Sequence, residues 1–175
     1  SAASDVYKRQ TFNRSLTNMP KPIAHYRLDE TSGSTAVDSS GNGNDGTING
    51  ATVNQIGYNG SVGAYSFDGS NDYIDMGHIS SLNFSRTDNF TISCWVNVNG
   101  ISGVNYEYND ILGQINNSIH RGWYIQQHLT YLYLTIRSYN TTDHNIIVYP
   151  YGFSFTVGVW THLLVVFSGT PGDIE

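Results

Sequence analysis

Residues Phe90–Val98 read FTISCWVNV and alternate without a slip. Phe90, Ile92, Cys94, Val96 and Val98 fall on one side, and Thr91, Ser93, Trp95 and Asn97 on the other. Successive side chains leave a β-strand on opposite faces, so a period of two marks a strand with one face in a core and the other outside it. Toward the C-terminus DILGQI (110–115), GWYIQQH (122–128), LYLTIRS (132–138), NIIVYPYG (145–152) and VWTHLLVVF (159–167) are each about one strand long, with turn residues between them. Toward the N-terminus GAYSFDGSNDYIDMG (63–77) reads as two strands about an Asp68–Asp72 turn, and IAHYRLDE (23–30) as a short strand. No stretch carries apolar residues at helical spacing through several turns. The expected class is therefore all-β: antiparallel strands in a two-sheet sandwich or jelly roll, with Phe90, Ile92, Cys94, Leu132, Leu134 and Ile136 in the core.

Composition agrees. Charged residues are only 13% of the 175, while Tyr (13) and Gly (18) are abundant, a balance that favours strands and turns over helices. A net charge of -6 argues against a nucleic-acid partner, which needs basic stripes. No apolar run approaches a membrane span. Cys94 is the sole cysteine, so no internal disulfide forms, and its alternating position predicts a small buried hydrophobe. Residues 1–22 have neither period nor an apolar signal-peptide region and are expected to be a disordered or artefactual N-terminal segment. The domain is expected over 23–175. Its last stretch, WTHLLVVFSGTPGDIE, reads as a strand, a turn and the start of a further strand, so the domain is expected to be incomplete at the C-terminus.

IAHYRLDETSGSTAVDSSGNGNDGTINGATV, AYSFDGSNDYIDMG, SLNFSRTDNFTISCWVNV, DILGQ and VWTHLLVVFSG follow one another over residues 23–169. In this order the chain resembles the laminin G-like jelly-roll domains of the concanavalin A-like lectin/glucanase superfamily, in their bacterial extracellular form. The resemblance implies a curved antiparallel sandwich, an extracellular or cell-surface location, and a role as one module of a longer parent chain. It also implies a calcium ion near the opening loop, held partly by an Asp on a last strand that this sequence does not contain.

That loop, residues 28–50, is rich in Asp, Asn, Ser and Gly. Asp38, Ser40, Asn42 and Gly43 mimic the start of an EF-hand loop, but Asn49 stands where a bidentate Glu is needed and no helices flank it. Without a Lys it is no phosphate loop. Hard oxygen donors in a Gly-rich loop suit calcium, with Asp38 and Asp45 as side-chain ligands and Asn42 and Asn44 as helpers. The same residues also suit a series of Asx turns.

Catalysis has little support. Glu107 and Asp110, and likewise Asp72 and Asp75, are three apart, so on a strand they face opposite ways and cannot act as a paired acid and nucleophile. The six His residues show no zinc spacing; His162 is expected to be buried and hydrogen-bonded. Binding remains. Trp95, Tyr124, Gln126, Tyr133 and Arg137 each stand opposite the apolar set of their own strand. On one sheet face they would offer flat rings, an amide and a guanidinium, groups that suit sugar rings and hydroxyls. The expected function is a non-catalytic extracellular module binding a glycan or a surface protein; the rivals are a spacer or adhesion repeat without its own ligand and, behind it, a glycoside hydrolase of the resembled superfamily.

Overall fold

A computed structural model describes residues 20–84, 88–100, 109–116, 121–129, 131–137, 146–148 and 153–169. Strands dominate it: β1 (Thr35–Ala36), β2 (Gly46–Asn49), β3 (Thr52–Ile56), β4 (Val62–Ser66), β5 (Tyr73–Asp75), β6 (Phe90–Asn97), β7 (Asn109–Asn116), β8 (Arg121–His128), β9 (Tyr131–Arg137), β10 (Ile146–Val148) and β11 (Trp160–Phe167). Among the described residues the only helical element is a 3₁₀ turn at Ser80–Leu82, and every strand pairing is antiparallel. The all-β, antiparallel class expected from the sequence is present. The described pairings form sheets β1-β2-β5, β10-β9-β8-β7, β11-β6 and β3-β4, compatible with a β-sandwich.

The core lies between the β6–β11 ribbon and the four-stranded sheet. Phe90 and Ile92 of β6 and Leu163 of β11 form one buried cluster with Trp123 and Ile125 of β8, Leu132 and Leu134 of β9, and Val98 and Phe155. Register explains the selection. Ile125 faces Leu134 across β8–β9, and Leu163 faces Cys94 across β6–β11, so each sheet presents one apolar row inward. Cys94 is half-buried and packs against this cluster. Ile136 holds the register position opposite Trp123.

The segment after β5 seals one end. Trp123 Nε1 donates to the Leu82 carbonyl at 2.8 Å. The Gln114 amide closes on Ile79 from both sides, accepting its N–H at 3.1 Å and donating to its carbonyl at 3.0 Å. Phe84 then stacks on Phe90 with centroids 4.2 Å apart. Buried indole and amide groups need such partners, and here they fix where the chain enters β6.

Two local expectations are corrected. Residues 23–30 form no strand. The backbone turns through a positive φ of 56° at Leu28, and the stretch contributes only an isolated bridge, Tyr26 to Asp38. The 63–77 stretch is no hairpin either. β4 pairs back to β3, and β5 pairs to β2. The actual hairpin turn is Gly57–Ser61, closed by a Gly57 N–H to Ser61 carbonyl bond at 2.8 Å. It contains Asn59-Gly60, with Gly60 at φ 78°, the pair that most readily supplies positive φ in a hairpin.

Candidate functional site

The loop around Asp38 is a closed hydrogen-bond knot. Asp38 Oδ1 accepts the N–H groups of His25 and Ser40, both at 2.9 Å. Its Oδ2 accepts the Ser40 hydroxyl at 2.8 Å and the Asn44 N–H at 3.0 Å. The Asp38 N–H in turn goes to Asp45 Oδ1 at 2.8 Å. Asn42 and Asn44 both donate their side-chain amides to the Ile23 carbonyl, at 2.9 and 3.0 Å, and the Tyr26 hydroxyl donates to the Asn44 carbonyl. Burial of Asp38 works against its charge, but the donors from His25, Ser40 and Asn44 outweigh it and hold the carboxyl well below the usual aspartate range.

This geometry bears on the calcium reading at Asp38. Each Asp38 oxygen already accepts two hydrogens, so a calcium ion there would have to displace or face four donors. The donor set does not fit calcium at Asp38; it fits stacked Asx turns that tie residues 22–26 to residues 38–45. Among the described residues no group of three or more His, Cys, Asp or Glu side chains is placed to hold a metal.

Other acids are engaged in the same structural way. Glu30 accepts the Val37 N–H at 2.8 Å and the Tyr65 hydroxyl. Burial opposes its charge, but the Tyr65 and Val37 donors prevail and lower its pKa. Tyr65 is pushed up by its own burial and by this bond to Glu30. Asp72 accepts the Asp68 N–H at 2.9 Å, and Asp75 accepts the Gly77 N–H at 2.8 Å. Glu107 lies outside the described residues. Burial pushes the Cys94 thiol up to about 11, the setting of an inert core cysteine.

The five residues expected to share one binding face lie on strands of two different sheets. Trp95 lies on β6; Tyr124 and Gln126 lie on β8, and Tyr133 and Arg137 on β9. The two sheets bury their inner faces against each other, so their outer faces point to opposite sides of the sandwich. On the β8–β9 side, alternation did set Tyr124 opposite Trp123 and Ile125, yet Tyr124 is only 9% exposed and its cross-strand neighbour Thr135 is also buried. On its other flank stands Gly113, where a Cβ would come within 2.8 Å of the Tyr124 Cβ. This outer face is therefore covered at its centre. Gln126 is half-buried and donates to Asp110 at 2.6 Å. Tyr133, half-buried too, meets the His128 ring edge-on at 5.9 Å. Arg137 ends β9 opposite Gly122.

Trp95 keeps the role of exposed aromatic, in company the sequence did not suggest. It is 44% exposed on the outer face of β6–β11. The Tyr58 ring, from the β3–β4 turn, stacks on it at 4.2 Å with only 2° between planes. His162, its cross-strand partner on β11, lies 4.9 Å from it, and His162 Nε2 shares a hydrogen bond with Ser93 Oγ at 2.9 Å. His162 is hydrogen-bonded as expected but exposed rather than buried, because its parity puts it in the outward row with Trp95. Tyr58 is 53% exposed. Its turn position carries no period, so only its place beside Asn59-Gly60 could have drawn attention to it. Leu164 (60% exposed) and Val166 (69%) continue the same outward row of β11. The result is an uncharged aromatic and aliphatic strip.

Residues 33–167 match the family described as Clostridium neurotoxin, N-terminal receptor binding, which takes in more than half of the chain. No curated protein and no solved structure matches it. The family match overturns the resemblance to laminin G-like, concanavalin A-like domains. The motifs behind that resemblance were alternating strands and Asp/Gly-rich turns in order, and antiparallel β-domains of many families need those same features. The chain belongs to the Clostridium neurotoxin N-terminal receptor-binding family.

Proposed function

We propose that this chain is a non-catalytic binding module that acts outside the cell and holds a surface ligand bearing sugar. The Tyr58–Trp95–His162 cluster is its contact platform. The observation that carries this reading is Trp95: an indole 44% exposed, braced by a parallel Tyr58 ring and set in a strip without a charged side chain. Large exposed apolar groups in a contiguous strip are informative where scattered ones are not. Flat rings held rigid present a stacking surface at little entropic cost, and Ser93 and His162 add hydrogen-bonding groups beside it. The family's description as receptor-binding supports a ligand on another surface.

The test is a glycan-array screen followed by titration of the best binder against Trp95→Ala and Tyr58→Ala. Each substitution should weaken binding by about two- to tenfold, in line with about 0.5–1.5 kcal/mol for an aromatic contact beyond its area. Binding by both variants at the wild-type level would remove the platform. A spacer without its own ligand is the second reading, favoured by the covered outer face at Tyr124, and an array without any binder would support it.

A further inference from the structure

Four Asn-Gly pairs stand in this chain, at 42–43, 49–50, 59–60 and 99–100. The pair has a chemistry of its own. No Cβ shields the glycine nitrogen, so once deprotonated it attacks the Cγ of the preceding asparagine. A C–N bond forms, the side-chain nitrogen leaves as ammonia, and a succinimide ring remains. Water then adds to one of the two ring carbonyls. The ring opens to aspartate, or to isoaspartate, whose main chain runs through the former side chain. We propose that Asn59 is a self-modification site of this kind in the folded protein, and that its product unstacks Tyr58 from Trp95. The chemistry at Asn59 is independent of the sugar-binding reading; only its effect on a ligand rests on that reading.

Hydrogen bonds separate the pairs. Asn42 is tied by its amide nitrogen to the Ile23 carbonyl at 2.9 Å and the Pro22 carbonyl at 3.3 Å. Asn49 is tied to the Thr47 carbonyl at 3.2 Å and pairs with Tyr73 in the β2–β5 ladder. Its glycine is packed as well, since a Cβ at Gly50 would lie 1.9 Å from Asp72 Oδ1. Asn99-Gly100 borders residues outside the described ones.

Asn59 differs on each count. It and Gly60 are exposed, and a Cβ at Gly60 would meet nothing within 4 Å, so a ring has room. Asn59 Oδ1 accepts the Ser61 N–H at 3.0 Å, an Asx turn that folds the side chain over the Gly60 peptide. The same bond draws electron density from Cγ, which favours attack there. Among the described residues the Asn59 amide nitrogen donates no bond, so nothing holds the leaving group. The Gly60 N–H does hold the Gly57 carbonyl, but at 3.1 Å this is the longest of the three bonds in the turn. Register shifts interrupt the β3–β4 ladder behind it, so opening the turn disturbs little else.

Tyr58 directly precedes Asn59, and its stack on Trp95, 4.2 Å away with 2° between planes, depends on the backbone of this turn. Aspartate puts a carboxylate beside the uncharged strip of Trp95, Leu164 and Val166. Isoaspartate does the same and adds a methylene to the main chain, which moves Tyr58 relative to Trp95.

Ageing the whole chain in mildly alkaline buffer tests this, with peptide mapping by mass spectrometry at intervals. Asn59 should convert about tenfold faster than Asn42 or Asn49, whose amide bonds must open first. Its rate should rise with pH, because the glycine nitrogen must lose its proton, and an isoaspartate-specific methyl-transfer assay should label its peptide. The Trp95 indole N–H resonance should shift in step with conversion. It should stay in place in Asn59→Gln aged alongside, since the longer side chain closes far more slowly. Equal rates at the three asparagines, or earlier conversion of Asn42 or Asn49, would overturn the site. Conversion of Asn59 with an unmoved Trp95 resonance would overturn the unstacking. Ligand titration is a separate reading: aged protein that has lost the stack yet binds its array ligand as tightly as fresh protein would remove the platform and leave the Asn59 chemistry standing.

Discussion

The two outer faces of this sandwich are written alike and end differently. On β8 and β9, Tyr124 and Tyr133 stand opposite Trp123, Ile125, Leu132 and Leu134. On β6, Trp95 stands opposite Phe90, Ile92 and Cys94. Yet Tyr124 is buried, whereas Trp95 keeps nearly half its surface open and continues into exposed Leu164 and Val166. Strand parity states on which side of its own sheet a residue lies. It does not state whether something else covers that side, since the cover comes from segments distant in sequence. An aromatic outside the core is a binding candidate only after that second question is answered.

Paired substitutions sharpen this contrast most. Tyr124→Ala removes a buried ring wedged between Gly113 and Thr135, and it should cost about 3 kcal/mol in chemical denaturation, the low end for large aromatics in cores. Trp95→Ala removes a ring with nearly half its surface already in solvent and should cost no more than about 1 kcal/mol. Equal costs for the two would break the distinction between a covered face and an open one.

The Asp38 knot extends the same logic to polar groups. Asp38→Ala removes a buried carboxylate and leaves the His25, Ser40 and Asn44 N–H groups without their acceptor, and it should cost about 1–3 kcal/mol at neutral pH. The sign of the pH dependence follows from the depressed carboxyl. Because the folded pKa lies below the unfolded one, the stabilisation is complete above the unfolded value of about 3.9 and is lost as pH falls toward the folded value. The gap between wild type and Asp38→Ala should therefore hold steady from neutral pH to about 4 and narrow below it. A gap already closing near pH 6 would assign the acid response to another group.

The sequence carried the strands of the core well because their signal is local. FTISCWVNV, GWYIQQH, LYLTIRS and WTHLLVVF became β6, β8, β9 and β11, with Phe90, Ile92, Leu132 and Leu134 of the expected core buried and Cys94 packed against them. It misled where pairing depends on partners. AYSF and DYID border one turn, but β4 and β5 join different sheets, and IAHYRLDE gives its polar backbone to the Asp38 loop instead of to a ladder. The site was half legible for the same reason. Trp95 follows from parity on one strand. Its bracing by Tyr58, 37 positions earlier, and its placement away from Tyr133 depend on how the sheets stack.

The smallest effect concerns the loop that looked most like a metal site. Its composition of Asp, Asn, Ser and Gly suits calcium, and an ion bound only to the folded state would raise the melting temperature. But coordination needs oxygen lone pairs directed at the ion within about 2.3–2.6 Å, and both Asp38 oxygens already direct theirs at N–H and O–H groups from His25, Ser40 and Asn44. Positively polarised hydrogens would then face the cation. Asn42 and Asn44 hold the Ile23 carbonyl with their amide nitrogens, so the knot is tied from both sides without an ion. Melting curves in millimolar calcium and in excess chelator should therefore coincide. A calcium-dependent rise that Asp45→Ala abolishes would show that the exposed carboxylate of the loop, rather than the buried one, holds a cation, and would move this loop from the closed side of the comparison to the open side.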